Sequence, residues 1–141
     1  MINTIVLDTS VLISALIGKK GASRAVLREC LQGRFRPVIS NALFLEYEDV
    51  RHRPNVVDAC PLTDNEIREL LNAFYSVCHW VKIYYLWRPN LPDEEDNFLI
   101  ELALAGNAQA IITHNVKDFQ NAELKFPDLS ILTPAQLLRG E

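Results

Sequence analysis

The stretch TIVLDTSVLISALI, Thr4 to Ile17, decides how this chain is read. Thr4–Leu7 is a short β-branched run, the signature of a buried strand. Helical spacing follows at once in SVLISALI. Between the two stands Asp8, an acid at the end of an apolar strand, with apolar residues resuming at Val11. Such an acid either caps the following helix or belongs to a site. The rest of the chain has to separate these readings.

Outward from that stretch the strand–helix alternation repeats. ASRAVLRECLQG has helical spacing, with Gly33 as its stop. RPVIS is a second strand, and Ser40 can cap a helix running through NALFLEYEDVRHR to a stop near Pro54. Residues 54–62 read as a loop. Thr63 and Glu66 have capping-box spacing, so a helix runs from there to about His79. WVKIYY is a third strand. RPNLP is a loop before an acidic helix that Gly106 closes. AQAIIT and LSIL are the fourth and fifth strands, and TPAQLLRG is a final short helix with Thr133 at its cap and Pro134 in its first turn. This alternation predicts an α/β fold with a central, mainly parallel sheet of about five strands.

Composition sets the bounds. The 141 residues suit a single domain over 1–141. Hydrophobic residues at 49% and charged residues at 23% describe a globular chain. No apolar run approaches the ~18 residues of a membrane span, and MINTIVLDTS lacks the basic start and cleavage pattern of a signal peptide. The three cysteines show neither paired nor metal-knuckle spacing, which suits free thiols in a reducing cytoplasm. A net charge of −4 by itself argues against a nucleic-acid partner.

Parallel sheets bind ligands beyond the carboxyl ends of their strands, at the switch in strand order. Strand one ends at Asp8. Strand two ends at Ser40, with Glu46 inside the following helix among Phe44, Leu45 and Tyr47. Strand four ends in THNVKDF, offering Thr113, Asn115 and Asp118. The acidic helix brings Asp93, Glu94, Glu95 and Asp96 to its N-terminus. Each has an ordinary explanation alone: a cap, a solvated helix residue, an Asx turn, charge opposing the helix dipole. Together, Asp8, Glu46, Asp96, Asp93 and either Asn115 or Asp118 would converge on one sheet edge. Converging carboxylates repel, so they shift their pKa values or require a cation. Hard oxygen donors without His or Cys suit Mg²⁺ or Mn²⁺. Asp96 shares a helical stripe with Leu99, Ile100 and Ala103, and Asp93 stands one turn earlier. Glu94 and Glu95 face outward.

At this point the residues resemble the PIN-domain ribonucleases, in particular the toxin-like branch of toxin–antitoxin systems that includes VapC. The resemblance rests on IVLDTSVLISAL, PVISNALFLEYEDV and PDEEDNFLIELALAGNAQAIITHNVKDF, spread over nearly the whole chain. It implies a PIN-like three-layer α/β/α fold. It further implies a metal-dependent endoribonuclease in which metal-activated water attacks an RNA phosphodiester, with one or two Mg²⁺ or Mn²⁺ ions. Asp8, Glu46 and Asp96 look like the acidic triad, with Asp8, Asp96 and Asp93 as metal ligands. Thr9, Ser10, Thr113, Asn115 and Asp118 are the supporting positions. The chain departs from the pattern at Asn115, where many relatives carry Asp. Asn can still bind a metal water but removes one negative charge, and Asp118 is either its substitute or a loop residue. The resemblance also implies a cytoplasmic protein, a homodimer and a cognate antitoxin, which could place a basic side chain in the acidic cleft.

Charge fits this reading. Of the 18 acids, six stand at the proposed cluster, and the remaining 12 are outnumbered by the 14 Lys and Arg. Lys19, Lys20, Arg24 and Arg28, and Arg51 with Arg53 and His52, are candidate phosphate contacts or plain surface charge. Trp80, Tyr84, Tyr85 and Trp87 could stack on bases, though such residues are more often core. His114 is a turn histidine beside the site. Two other classes compete. A non-catalytic PIN-like scaffold would explain Asn115 as decay. An aspartyl-phosphate phosphohydrolase would need a second Asp where Ser10 stands.

Overall fold

The computed structural model describes residues 2–18, 21–83, 94–119 and 126–140, and the backbone alone for residues 94–97. Five strands, β1 (Thr4–Leu7), β2 (Arg36–Ile39), β3 (His79–Trp80), β4 (Ala110–Ile112) and β5 (Ser130–Leu132), form one sheet in the order β3-β2-β1-β4-β5. Every neighbouring pair is parallel. Among the described residues seven helices surround it: α1 (Thr9–Ile17), α2 (Ala22–Leu31), α3 (Asn41–Arg51), α4 (Pro54–Ala59), α5 (Asp64–Val77), α6 (Glu94–Ala105) and α7 (Pro134–Leu138). The result is a three-layer α/β/α fold, as the alternation of elements predicts.

The central strands show why the sheet is parallel and covered. Ile5, Val6 and Leu7 of β1 and all of β4 are buried, with no in–out alternation. A strand buried on both faces needs helices above and below it. Helix α6 lies across β1, β2 and β4, while α1 packs on α2 and α3, and α2 on α5 and α7. Pro37 sits inside β2 without breaking it. Arg36 N–H donates to Asn3, so Pro37 would have pointed its missing N–H towards β3, where pairing begins only at Val38.

Caps fix the helix starts where the sequence places them. Ser40 accepts from Leu43 N–H, and full capping boxes form at Thr63–Glu66 and Thr133–Gln136. Two expectations are corrected, and a third, Gly106 at the end of α6, holds with an added role. Residues 54–62 are not all loop, because Pro54 opens the short helix α4. The third strand is His79–Trp80, earlier and shorter than expected, with Val81–Ile83 outside it and Tyr84 and Tyr85 beyond the described residues. Gly106 follows the end of α6, but the left-handed residue there is Asn107, at φ 54°. Gly106 matters for packing as well: a Cβ there would stand 3.3 Å from the buried Val38 side chain and 3.2 Å from the Leu102 carbonyl.

Helix α3 is tied down on several sides. The buried Tyr47 phenol donates to the Leu7 carbonyl of β1. Glu48 accepts two bonds from Arg68 (2.8 and 2.7 Å) and one from Tyr75 (2.6 Å), joining α3 to α5. Arg51, only 2% exposed, reaches Asp64 at 2.7 Å. No described helix is long and apolar enough to cross a membrane.

Two outcomes follow from this packing. Gly106→Ala should destabilise the fold by about 1–3 kcal/mol, since the buried Val38 side chain and the Leu102 carbonyl would both have to shift to admit the methyl group, and urea unfolding would measure it. Hydrogen bonds from Arg68 lower the Glu48 carboxyl from 4.5 to about 2, with Tyr75 adding to the shift against the opposing effect of burial. A depressed carboxyl contributes stability above its unfolded pKa and loses it as pH falls through the folded one. Glu48→Gln should therefore cost on the order of 1 kcal/mol at pH 7. Its deficit in thermal melts should shrink between pH 4.5 and about 2. A deficit unchanged with pH would contradict the pairing.

Candidate functional site

The register of β1 on β4 sets Leu7 opposite Ile112, which brings the next residues, Asp8 and Thr113, side by side. Asp8 N–H continues the ladder to the Ile112 carbonyl at 2.9 Å. Strand order reverses here: the chain runs outward from β1 through β2 to β3, then returns to place β4 on the other side of β1. Connections diverge at such a switch and leave a crevice over the strand ends. Asp8 stands at that crevice.

Asp8 occupies the cap position of α1, but its side chain makes no cap bond. Its backbone carbonyl accepts from Val11 and Leu12 instead. The carboxylate receives Thr113 Oγ1 at 2.7 Å and Ser10 Oγ at 3.2 Å, both on Oδ2. Simple capping therefore does not account for this side chain. Thr113 is fully buried, and its hydroxyl also accepts Asn115 N–H at 3.0 Å, so one hydroxyl orders both the acid and the turn after β4. A second clasp holds that turn: exposed His114 meets the buried Ser23 hydroxyl of α2 at 3.1 Å. Asn115 and Asp118 are both exposed, and Asp118 N–H closes a turn onto the Asn115 carbonyl. Thr9 is buried, and its hydroxyl has no hydrogen-bond partner among the described residues.

Glu46 is half-buried on α3, next to Tyr47. Burial pushes the Tyr47 phenol far above its usual range, and Cys78, Asp8, Tyr75 and Glu46 act in the same direction. Asp8 and Glu46 thus both bear on one buried phenol. Sequence reasoning treats Tyr47 only as an apolar neighbour of Glu46. Its spacing from Leu43 and its need for a hydrogen-bond partner when buried are the signals for this tether. Ser23 carries no comparable signal. Asp96 occupies the first turn of α6, on the stripe continued by Leu99, Ile100 and Ala103, all of which are buried. Asp93 lies outside the described residues, as do Lys19, Lys20 and Trp87.

The donors at this edge suit a hard cation. Asp8 has hydroxyl partners on one oxygen and no ion pair among the described residues. The next residue, Thr9, has a buried hydroxyl without a partner among the described residues, and oxygen donors of this kind favour Mg²⁺ or Mn²⁺ over softer metals. Among the described residues, no three Asp, Glu, His or Cys side chains come together as a ligand group. The expected basic contacts need correction. Arg51 is buried on Asp64, and Arg24 bonds the Ala15 and Leu16 carbonyls at the end of α1. Both are committed inside the fold because helix ends and buried charges require partners. Arg53 remains exposed, beside Asp49 at 3.2 Å.

The profile of the PIN-domain family matches residues 4–117. No curated protein sequence matches the chain significantly. Among solved structures, the chain is similar to one from the crystal structure of VapBC2 from Rickettsia felis bound to a DNA fragment from their promoter. The TM-score is 0.55 at 16% identity, covering 91% of this chain and 96% of that one. At that identity the likeness speaks for the fold. With the family profile spanning both β1 and β4, and Asp8 and Thr113 at their carboxyl ends, the chain belongs to the PIN-domain family.

Proposed function

We propose that this protein, read as one PIN-like domain over residues 1–141, is a Mg²⁺-dependent endoribonuclease. The observation that carries the reading is Asp8: a carboxylate at the switch point, oriented by two hydroxyls and balanced by no basic side chain among the described residues. PIN domains are generally nucleases that use divalent metals, and this chain belongs to that family. The sequence resemblance to the toxin-like branch carries the further proposal that it is the toxin of a toxin–antitoxin pair and works as a homodimer in the cytoplasm; the fold it shares with a chain from a VapBC2 structure is compatible with that role.

In this reading Asp8 and Asp96 hold the cation, Asp93 extends the ligand set, and Glu46 completes the acidic triad. When bound, Mg²⁺ or Mn²⁺ would supply Lewis-acid stabilisation of the phosphoryl oxygens and acidify water. The chain's own residues do the orienting. Thr113 and Ser10 hold Asp8 through its Oδ2 and so fix the carboxylate in one orientation. Glu46, half-buried on α3, would accept a proton from an attacking water. Asn115 and Asp118, exposed on the turn that Thr113 and His114 hold, would face the substrate.

A pool of structured RNAs incubated with antitoxin-free protein tests this directly, with Mg²⁺, Mn²⁺ and EDTA arms. Cleavage should require metal and fall by about two orders of magnitude or more in Asp8→Asn and Asp96→Asn. Intact RNA in every arm, from folded protein that still binds Mn²⁺, would favour a non-catalytic scaffold.

Thr113→Val should cost about 1 kcal/mol of stability and weaken Mn²⁺ affinity about 10–100-fold, as expected when the support of a ligand is lost. Thr113→Ser should restore both. Unchanged Mn²⁺ affinity in Thr113→Val would separate Asp8 from the metal.

A further inference from the structure

A second feature of the same sheet edge remains unexplained by the acidic cluster. Trp80, at the end of β3, is 48% exposed. An exposed indole is ordinary when it is loose, but this one is clamped. Its Nε1–H is directed at the Tyr75 carbonyl at 3.4 Å. Phe44 backs it at 5.5 Å between ring centroids, and Tyr75 at 6.5 Å. Val81 N–H extends the β2–β3 pairing to the Ile39 carbonyl at 2.8 Å. The ring is therefore a rigid platform, and it lines a cleft of about 490 Å³ together with Asn41, Lys82, Ile83 and Phe98. That volume lies in the range of about 300–1,000 Å³ typical of small-ligand pockets.

We infer that this cleft is a subsite for one unpaired nucleobase of the RNA substrate, stacked on Trp80 with Lys82 on its phosphate. The inference deepens the nuclease reading and rests on it for the identity of the ligand. Position supports it. The cleft opens at the carboxyl ends of β2 and β3, the same edge as Asp8. These strands are one and two places from β1, and strands lie about 4.8 Å apart, so the platform stands roughly 10 Å to the side of Asp8. That separation suits a base next to the attacked phosphate. Chemistry supports it as well. Every base has a face that stacks on an aromatic ring, so the platform serves any sequence. The amide of exposed Asn41 can donate and accept at a base edge. Lys82 is exposed two residues beyond Trp80 and offers positive charge at the rim, while the one carboxylate lining the cleft among the described residues, Glu101, is buried at 5% exposure. A base still paired and stacked in a helix cannot enter, so the subsite selects single-stranded or looped RNA.

The test reads binding apart from cleavage. Trp87→Phe leaves Trp80 as the single tryptophan. Adding Asp8→Asn and EDTA prevents cutting. Short unpaired RNA oligonucleotides should quench Trp80 fluorescence saturably, and the same sequences as duplexes should quench it several-fold more weakly. Lys82→Ala should weaken the single-strand titration several-fold. On the active protein, Trp80→Leu should raise KM roughly five- to hundredfold with kcat little changed, and Trp80→Phe should recover most of the loss. A silent Trp80 in a protein that still cleaves RNA would overturn the subsite and leave the nuclease standing. Saturable quenching without any cleavage would support the subsite and count against the nuclease.

Discussion

The parallel pairing of β1 with β4 is the contact on which the rest depends. Setting Leu7 opposite Ile112 places Asp8 beside Thr113 where strand order reverses. A shift of one residue would turn the side chains of β1 to the opposite faces of the sheet. Ile5, Val6 and Leu7 are buried against helices, so the apolar core enforces the register. The polar edge then follows as a consequence. Chemistry at the crevice is held by hydrophobic packing one residue away from it.

The acids divide by what neutralises them. Glu48 has Arg68 and Tyr75, Asp64 has Arg51, Asp49 has Arg53, and Glu29 has Arg34 at 2.7 Å. These are structural pairs that fasten helices or lie on the surface. Asp8 has hydroxyls alone among the described residues. Hydroxyl donors orient a carboxylate without cancelling its charge, which is what a metal ligand requires. Arg24 and Arg51 are likewise taken up inside the fold. Their guanidinium groups serve helix ends and a buried junction.

Much of this was legible in the sequence, for identifiable reasons. A strand ending directly in Asp8, and capping boxes at Thr63 and Thr133, are local signals that tertiary structure did not override. The helix at Pro54 was hidden because proline reads equally as a stop and as a first-turn residue. WVKIYY has β propensity, yet the ladder with β2 covers His79 and Trp80, and Val81 just beyond adds one further bond to Ile39. Gly106 ends α6 as its sequence position suggests, but its close approach to Val38 is non-local and no window of sequence contains it. The commitment of Arg51 to Asp64, 13 residues on, and the clasp of Ser23 on His114, 91 residues away, are likewise invisible without the fold. At the site, Asp8, Ser10 and Thr113 come together as their motifs suggest. Asp96 lies in the first turn of α6.

The most direct measurement is anomalous diffraction from crystals soaked in Mn²⁺. A peak at the carboxyl end of β1, within coordination distance of Asp8 Oδ1 and Asp96, and absent in Asp8→Asn crystals, is the expected result. Well-ordered carboxylates with no peak at millimolar Mn²⁺ would contradict a metal-dependent centre at the β1–β4 switch.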